Sequence, residues 1–169
     1  MRTAAIGASL AMLLPGAAFA APSQLYNKTV SVSYTVTADA VAEDGTLSNR
    51  PRTVQRTLYI SSQGRVFSRA DRQAGRNSET VERDPSSTGG AFRFEGNRLI
   101  GVNTHFVSGA GQLVVTFDSG FQSCTADLMM GREGGKAFKF KGLNGKTFTA
   151  TGVPKVSGAT CSIRDGNPF

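Results

Sequence analysis

The chain has 169 residues, 19 Lys and Arg against 12 Asp and Glu, a net charge of +7, two Cys, eleven Phe and no Trp. This length suits one domain, and no apolar stretch reaches the roughly 18–20 residues a membrane helix needs. Multidomain machines and helical membrane proteins are therefore excluded, and the excess positive charge favours anionic partners.

The first 20 residues read as a secretory signal: a basic start at Arg2, an apolar run from Ala4 to Leu14, a break at Pro15-Gly16, and Ala18-Phe19-Ala20 as cleavage site. Cleavage is expected before Ala21, leaving 21–169 as a single β domain. The Ala-rich signal points to a bacterial periplasm or the extracellular space. Cys124 and Cys161, an even pair in an exported chain, are expected to form a disulfide.

Hydrophobic alternation of period 2 dominates. Tyr26, Val30, Val32, Tyr34, Val36 and Ala38 share one parity, and Thr29, Ser31, Ser33, Thr35 and Thr37 the other, the pattern of a half-buried strand. Val54, Arg56, Leu58 and Ile60 repeat it less cleanly. Asp39, Glu43 and Asp44 ahead of Gly45 read as a strand-to-turn exit. No window after the signal carries a helical period. The expected fold is all-β: an antiparallel meander of about eight to ten strands closing into a small barrel, with a two-sheet sandwich as the alternative.

Residues 61–90 form a polar, Arg-rich excursion in which Val66-Phe67 and Thr80-Val81 anchor an arm that folds out and back. Further on, turn chemistry sets four registers. A three-residue turn pairs Phe94 with Ile100 and Phe92 with Val102, and a Ser108-Gly109 turn then sets Val102 against Val115 and Ile100 against Phe117. The rival Gly96-Asn97 turn would pair Phe94 with Leu99 and need a bulge near Ile100. A Ser119-Gly120 turn places Val115 opposite Cys124 and Leu113 opposite Ala126. In the last hairpin, the loop Leu143-Asn144-Gly145 pairs Phe140 with Phe148, because Gly145 suits the left-handed closing position.

The positive charge is sorted: eight Arg and no Lys from Arg50 to Arg83, then five Lys and one Arg without any acid from Gly134 to Arg164. Arg69, Arg72, Arg76, Lys139, Lys141 and Lys146 are the candidate anion contacts, suited to anionic polysaccharide or lipid headgroups. Nucleic acid is the least favoured anion, since no RNP-like motif or zinc-finger spacing occurs. No metal or cofactor is expected, because two Cys 37 apart with one His lack zinc-ligand spacing.

His105, expected to face outward with Asn103, lies near Ser108, Asp118 and Asp127, yet no Gly-x-Ser-x-Gly elbow accompanies it. Asp118 is read as turn chemistry rather than half of a carboxylate pair. Phe92, Phe94, Phe106, Phe117, Phe138, Phe140 and Phe148 are expected to fill or line the interior. The leading functional reading is a non-enzymatic exported β-domain, a binding or envelope-associated module with a basic surface. A carrier of a small hydrophobic ligand and a hydrolase using His105 are the rivals.

Overall fold

The structure, a computed structural model, describes residues 21–49, 51–83, 92–102, 111–130 and 139–169. The expected signal, His105, Phe106, Ser108 and Phe138 lie outside the described residues.

Among the described residues, thirteen strands form three antiparallel sheets, preceded by one 3₁₀ turn at Ser23–Leu25. The first sheet contains β1 (Lys28–Thr37), β4 (Arg52–Ile60), β5 (Val66–Ala74), β6 (Asn77–Arg83) and β13 (Lys155–Asp165), in the order β13-β1-β4-β5-β6. The second holds β7 (Phe92–Glu95), β8 (Arg98–Val102), β9 (Gly111–Phe117) and β10 (Cys124–Met130), in the order β10-β9-β8-β7. The third is small, ordered β11-β12-β2-β3, and made of β2 (Ala40–Ala42), β3 (Leu47–Ser48), β11 (Lys139–Lys141) and β12 (Thr147–Ala150). The all-β expectation holds. The sheets are not joined by hydrogen bonds into one closed barrel among the described residues.

β1 shows why the alternation works. Val30, Val32, Tyr34 and Val36 are buried on one face, and successive side chains of a pleated strand point to opposite sides. Thr29, on the opposite parity, is also buried, and its Oγ1 donates to the Gly166 carbonyl at 2.6 Å. β13 follows β1 in register except where Gly158 and Ala159 together face Tyr34, a bulge that Gly158 accommodates at φ +63°. β4 and β5 continue the inward row through Val54, Leu58, Ile60 and Val66. Residues 66–83, expected as an arm folding out and back, are the β5–β6 hairpin, closed by a two-residue Gly75-Arg76 turn and paired with β4.

The first two sheets share one core. Val30, Val32, Tyr34, Leu58 and Ile60 pack from one side, and Phe94, Leu99, Leu113, Val115, Phe117 and Leu128 from the other. A disulfide joins edge strand β10 to edge strand β13 through Cys124 and Cys161, whose Cα atoms are 5.5 Å apart. The third sheet has its own small core of Ala40, Ala42, Phe148 and Ala150.

Three of the four expected registers are corrected, including the Val102–Val115 and Ile100–Phe117 pairs, since Val102 faces Gln112. Phe94 pairs with Leu99 and Glu95 with Arg98 across a Gly96-Asn97 turn, so the three-residue turn is wrong. Asn97 decides it: its side-chain amide donates to the Phe117 carbonyl at 2.6 Å, and its own carbonyl accepts from Phe117 N at 2.9 Å. Leu99 then meets Val115 directly and Ile100 meets Val114, without the bulge thought necessary. Ile100 and Val114 therefore leave the main row and are buried on the other face of the sheet.

In the β9–β10 hairpin, Phe117 rather than Val115 faces Cys124, and the loop runs from Asp118 to Ser123. Asp118 stabilises this longer loop by accepting from Gln122 N at 2.7 Å and Ser123 N at 3.1 Å. Phe121, at φ 55°, brings its ring to 5.7 Å from Phe117. The slip is two residues, so parity is kept and Cys124, Ala126 and Leu128 still face inward. The fourth register is as expected: Phe140 faces Phe148, and Gly145 closes the loop at φ +81°.

Candidate functional site

The six basic residues singled out by sequence do not form one patch of a single kind. Arg69 is on the solvent face of β5, where its Nε meets Asp71 Oδ2 at 3.1 Å, and Thr80 Oγ1 donates to Asp71 at 2.6 Å. Arg72 is on the inward face, its Nη1 3.3 Å from Glu79 Oε2. Arg76 occupies the β5–β6 turn. Lys139 and Lys141 are exposed on β11. Lys146 Nζ sits 2.6 Å from Asp44 Oδ2, linking the β11–β12 loop to the β2–β3 turn. Three of the six are thus already engaged with carboxylates.

Two arginines outside that set, Arg52 and Arg56, join Arg72 in a more concentrated site. Arg52 and Arg56 share the parity of Val54, Leu58 and Ile60, and Arg72 shares that of Val66, Ser68 and Ala70. All three therefore point to the inner side of the first sheet. Arg72 is opposite Val54 and Arg56 opposite Ala70, which makes Arg72 the diagonal neighbour of both other arginines. Diagonal β-carbons in such a pair lie roughly 7–8 Å apart, well within reach of side chains this long. Arg56 is only 3% exposed.

Electrostatics adds to the picture. Burial pushes Arg52 below the ordinary guanidinium range, and the Arg72 charge pushes it the same way. Gathering like charges out of water is costly, and Glu79 is ion-paired with Arg72. An arrangement of this kind is a place where an oxyanion is energetically welcome. The sequence signal was present: charged residues at the apolar parity of two adjacent strands.

Beside Arg52 a cleft of about 290 Å³ opens between the end of the first sheet and the small third sheet. Its lining includes the polar Arg52, Thr46, Ser48, Asn77 and Asn144 together with the apolar Leu47, Leu143 and Phe148. Gly142 lets that lining form, since a β-carbon there would stand 2.7 Å from the Phe148 ring. Of the phenylalanines expected in the interior, Phe94 and Phe117 are in the large core with Phe92 packed against it, whereas Phe148 belongs to the small one. The side chain of Phe140 lies outside the described residues.

Two carboxylates brace the loops around these sheets. The Lys146 ammonium, with Thr46, holds the Asp44 carboxyl far below the usual carboxylate range, and the Ser123 and Gln122 amides lower Asp118. Groups depressed on folding stabilise the fold above the unfolded Asp value of about 3.9, and that contribution vanishes as pH falls through the folded values. Melting temperature is accordingly expected to fall on acidification below about pH 4. Asp118→Asn should flatten that acid limb while lowering the melting temperature at neutral pH, as thermal melts across a pH series will read. An unchanged acid limb in Asp118→Asn would contradict the capping role.

No helix among the described residues is long and apolar enough to cross a membrane. No family model, curated protein or solved structure matches the chain.

Proposed function

We propose that the chain is a non-enzymatic exported binding module that takes an anionic partner at the arginines facing inward from β4 and β5. The observation that carries this reading is Arg52, Arg56 and Arg72 on one sheet face beside an open cleft. The net charge of +7 supports it, by drawing anions toward the molecule before they dock. Strand order supports a small barrel as the scaffold. Closing β6 onto β7 and β10 onto β13 would make a ring of nine consecutive antiparallel neighbours, and the disulfide already ties the second seam. Tyr34, Leu58, Ile60, Leu113 and Phe117 are all buried in the shared core, which favours a cleft-bound anion over a hydrophobic ligand carried within.

The test is retention on an anionic matrix as a function of salt, because surface charge interactions weaken as the Debye length shortens. The native protein should be retained at low ionic strength. Arg52→Gln combined with Arg72→Gln should elute at clearly lower salt than Lys139→Gln combined with Lys141→Gln, although both lose two charges. Equal elution of the two double variants would move the site to the outer surface, and no retention of the native protein would end the reading.

A further inference from the structure

We infer that the cleft between the first and third sheets binds a neutral sugar residue, recognised through hydrogen bonds with Ser48, Asn77 and Asn144 rather than through charge. This goes beyond the anion reading, because none of these three side chains carries a charge. They come from three connections that meet beside the cleft: Ser48 ends β3, Asn77 opens β6, and Asn144 sits in the β11–β12 loop. A hydroxyl and two primary amides supply donors and acceptors together, which a ring of sugar hydroxyls uses in full and a simple ion does not. Among the described residues, no protein group hydrogen-bonds the Ser48 hydroxyl or the Asn77 side-chain amide. Asn144 commits only its oxygen: Oδ1 accepts from Lys146 N at 3.1 Å, which leaves the amide hydrogens to a ligand.

The cleft holds these groups in place before any ligand arrives. Lys146 Nζ lies 2.6 Å from Asp44 Oδ2 and 3.4 Å from Thr46 Oγ1, so one side chain fastens the β11–β12 loop to the β2–β3 turn. Both connections contribute to the lining, through Asn144 and Thr46. A β-carbon at Gly142 would stand 2.7 Å from Asn144 Oδ1, so any larger residue would push that amide aside. Bracing of this kind matters most for neutral hydrogen bonds, which are individually weak and leave little to offset the cost of ordering side chains. Ala74, Leu47 and Leu143 in the same lining give the C–H groups of a sugar ring something to touch. A nucleoside is less suited, because Phe148 is only 3% exposed and offers a base little face to stack on. A volume of about 290 Å³ lies at the small end of ligand sites, in keeping with a single ring.

The probes are two neutral disaccharides, cellobiose and N,N′-diacetylchitobiose, titrated into the isotopically labelled protein and followed by amide NMR shifts. At least one should give saturable shifts concentrated at residues 46–48, 77 and 142–146. Its affinity should be the same at low and high salt, since screening acts on charge and not on neutral hydrogen bonds. Ser48→Ala and Asn77→Ala should each weaken it about tenfold, the scale of one neutral hydrogen bond lost. Lys146→Met, which unfastens the two connections, should weaken it as well, and Lys146→Arg, which keeps a cation beside Asp44, should restore most of the loss. Unchanged amide shifts elsewhere in each variant show that the fold is intact. The inference is overturned if neither disaccharide moves these resonances, if the binding fades with salt, or if it survives Ser48→Ala combined with Asn77→Ala in a folded protein. Salt-sensitive retention on the anionic matrix that still depends on Arg52 and Arg72 would, in that event, leave the anion-binding reading standing.

Discussion

Replacing Cys124 and Cys161 together with alanine is expected to lower the unfolding free energy by about 3.8 kcal/mol, the chain-entropy value for a loop of this length. The sequence separation that sets the loop is 37 residues. For a chain of this size the change corresponds to a fall of roughly 8–15 °C in melting temperature. The position of the bond explains why no other contact replaces it. β10 and β13 are edge strands of different sheets, and among the described residues no hydrogen-bonded ladder runs between them. Without the sulfur bridge, the two halves of the shared core are held at this seam by side-chain packing alone, through Ala126, Leu128 and Ile163 among others. Urea denaturation of native and double-alanine protein measures the difference directly. Coincident midpoints and slopes would show that the bond constrains nothing the packing does not already hold.

Phe148→Ala should have an effect of similar size but confined to one region. Among the described residues, Phe148 is buried in a cluster with Ala40, Ala42 and Ala150, in which its ring is by far the largest side chain. Truncating a buried Phe costs about 3–5 kcal/mol, and three methyl groups have no means of closing the void. The small sheet is separate from the large core, so the loss should appear as local opening. Hydrogen exchange at residues 40–42 and 147–150 should accelerate by two to three orders of magnitude, at roughly 1.4 kcal/mol per tenfold. Amides of β1 and β4 should keep their protection. Uniform acceleration throughout the molecule would mean that the third sheet unfolds only with the rest.

The parts of this fold that could be read in advance are those governed by alternation. Val30, Val32, Tyr34 and Val36 go inward because a pleated strand leaves no other choice once one face is buried. The same rule kept Cys124, Ala126 and Leu128 on the core side even though their register was two residues off. The Leu143-Asn144-Gly145 loop was legible because a left-handed position is a local steric demand. The Gly96-Asn97 turn was misjudged because its deciding interaction joins Asn97 to Phe117, twenty residues away in sequence. The Asp118 loop was misjudged because a carboxylate capping two amides competes with a tight turn, and pattern alone does not rank them.

The arginines divide in the same way. A list of basic residues could be drawn up from the sequence, but not which were already engaged. Arg69 with Asp71 is a pairing two residues apart on one strand face, whereas Lys146 with Asp44 spans 102 residues. Arg56 looked like an imperfection in a strand pattern and is instead a buried guanidinium beside Arg72.

By itself the sequence determined the all-β class and the face on which most side chains of each long strand lie, since both follow from backbone geometry acting over two residues; an even pair of cysteines was enough to expect the disulfide. Tertiary structure alone decided the order of strands across three sheets, the separation of a second small core, and the meeting of Arg52 with Arg72 beside a cleft. Those depend on which distant segments pair, and pairing is settled by the summed packing of the whole core rather than by any short stretch of chain.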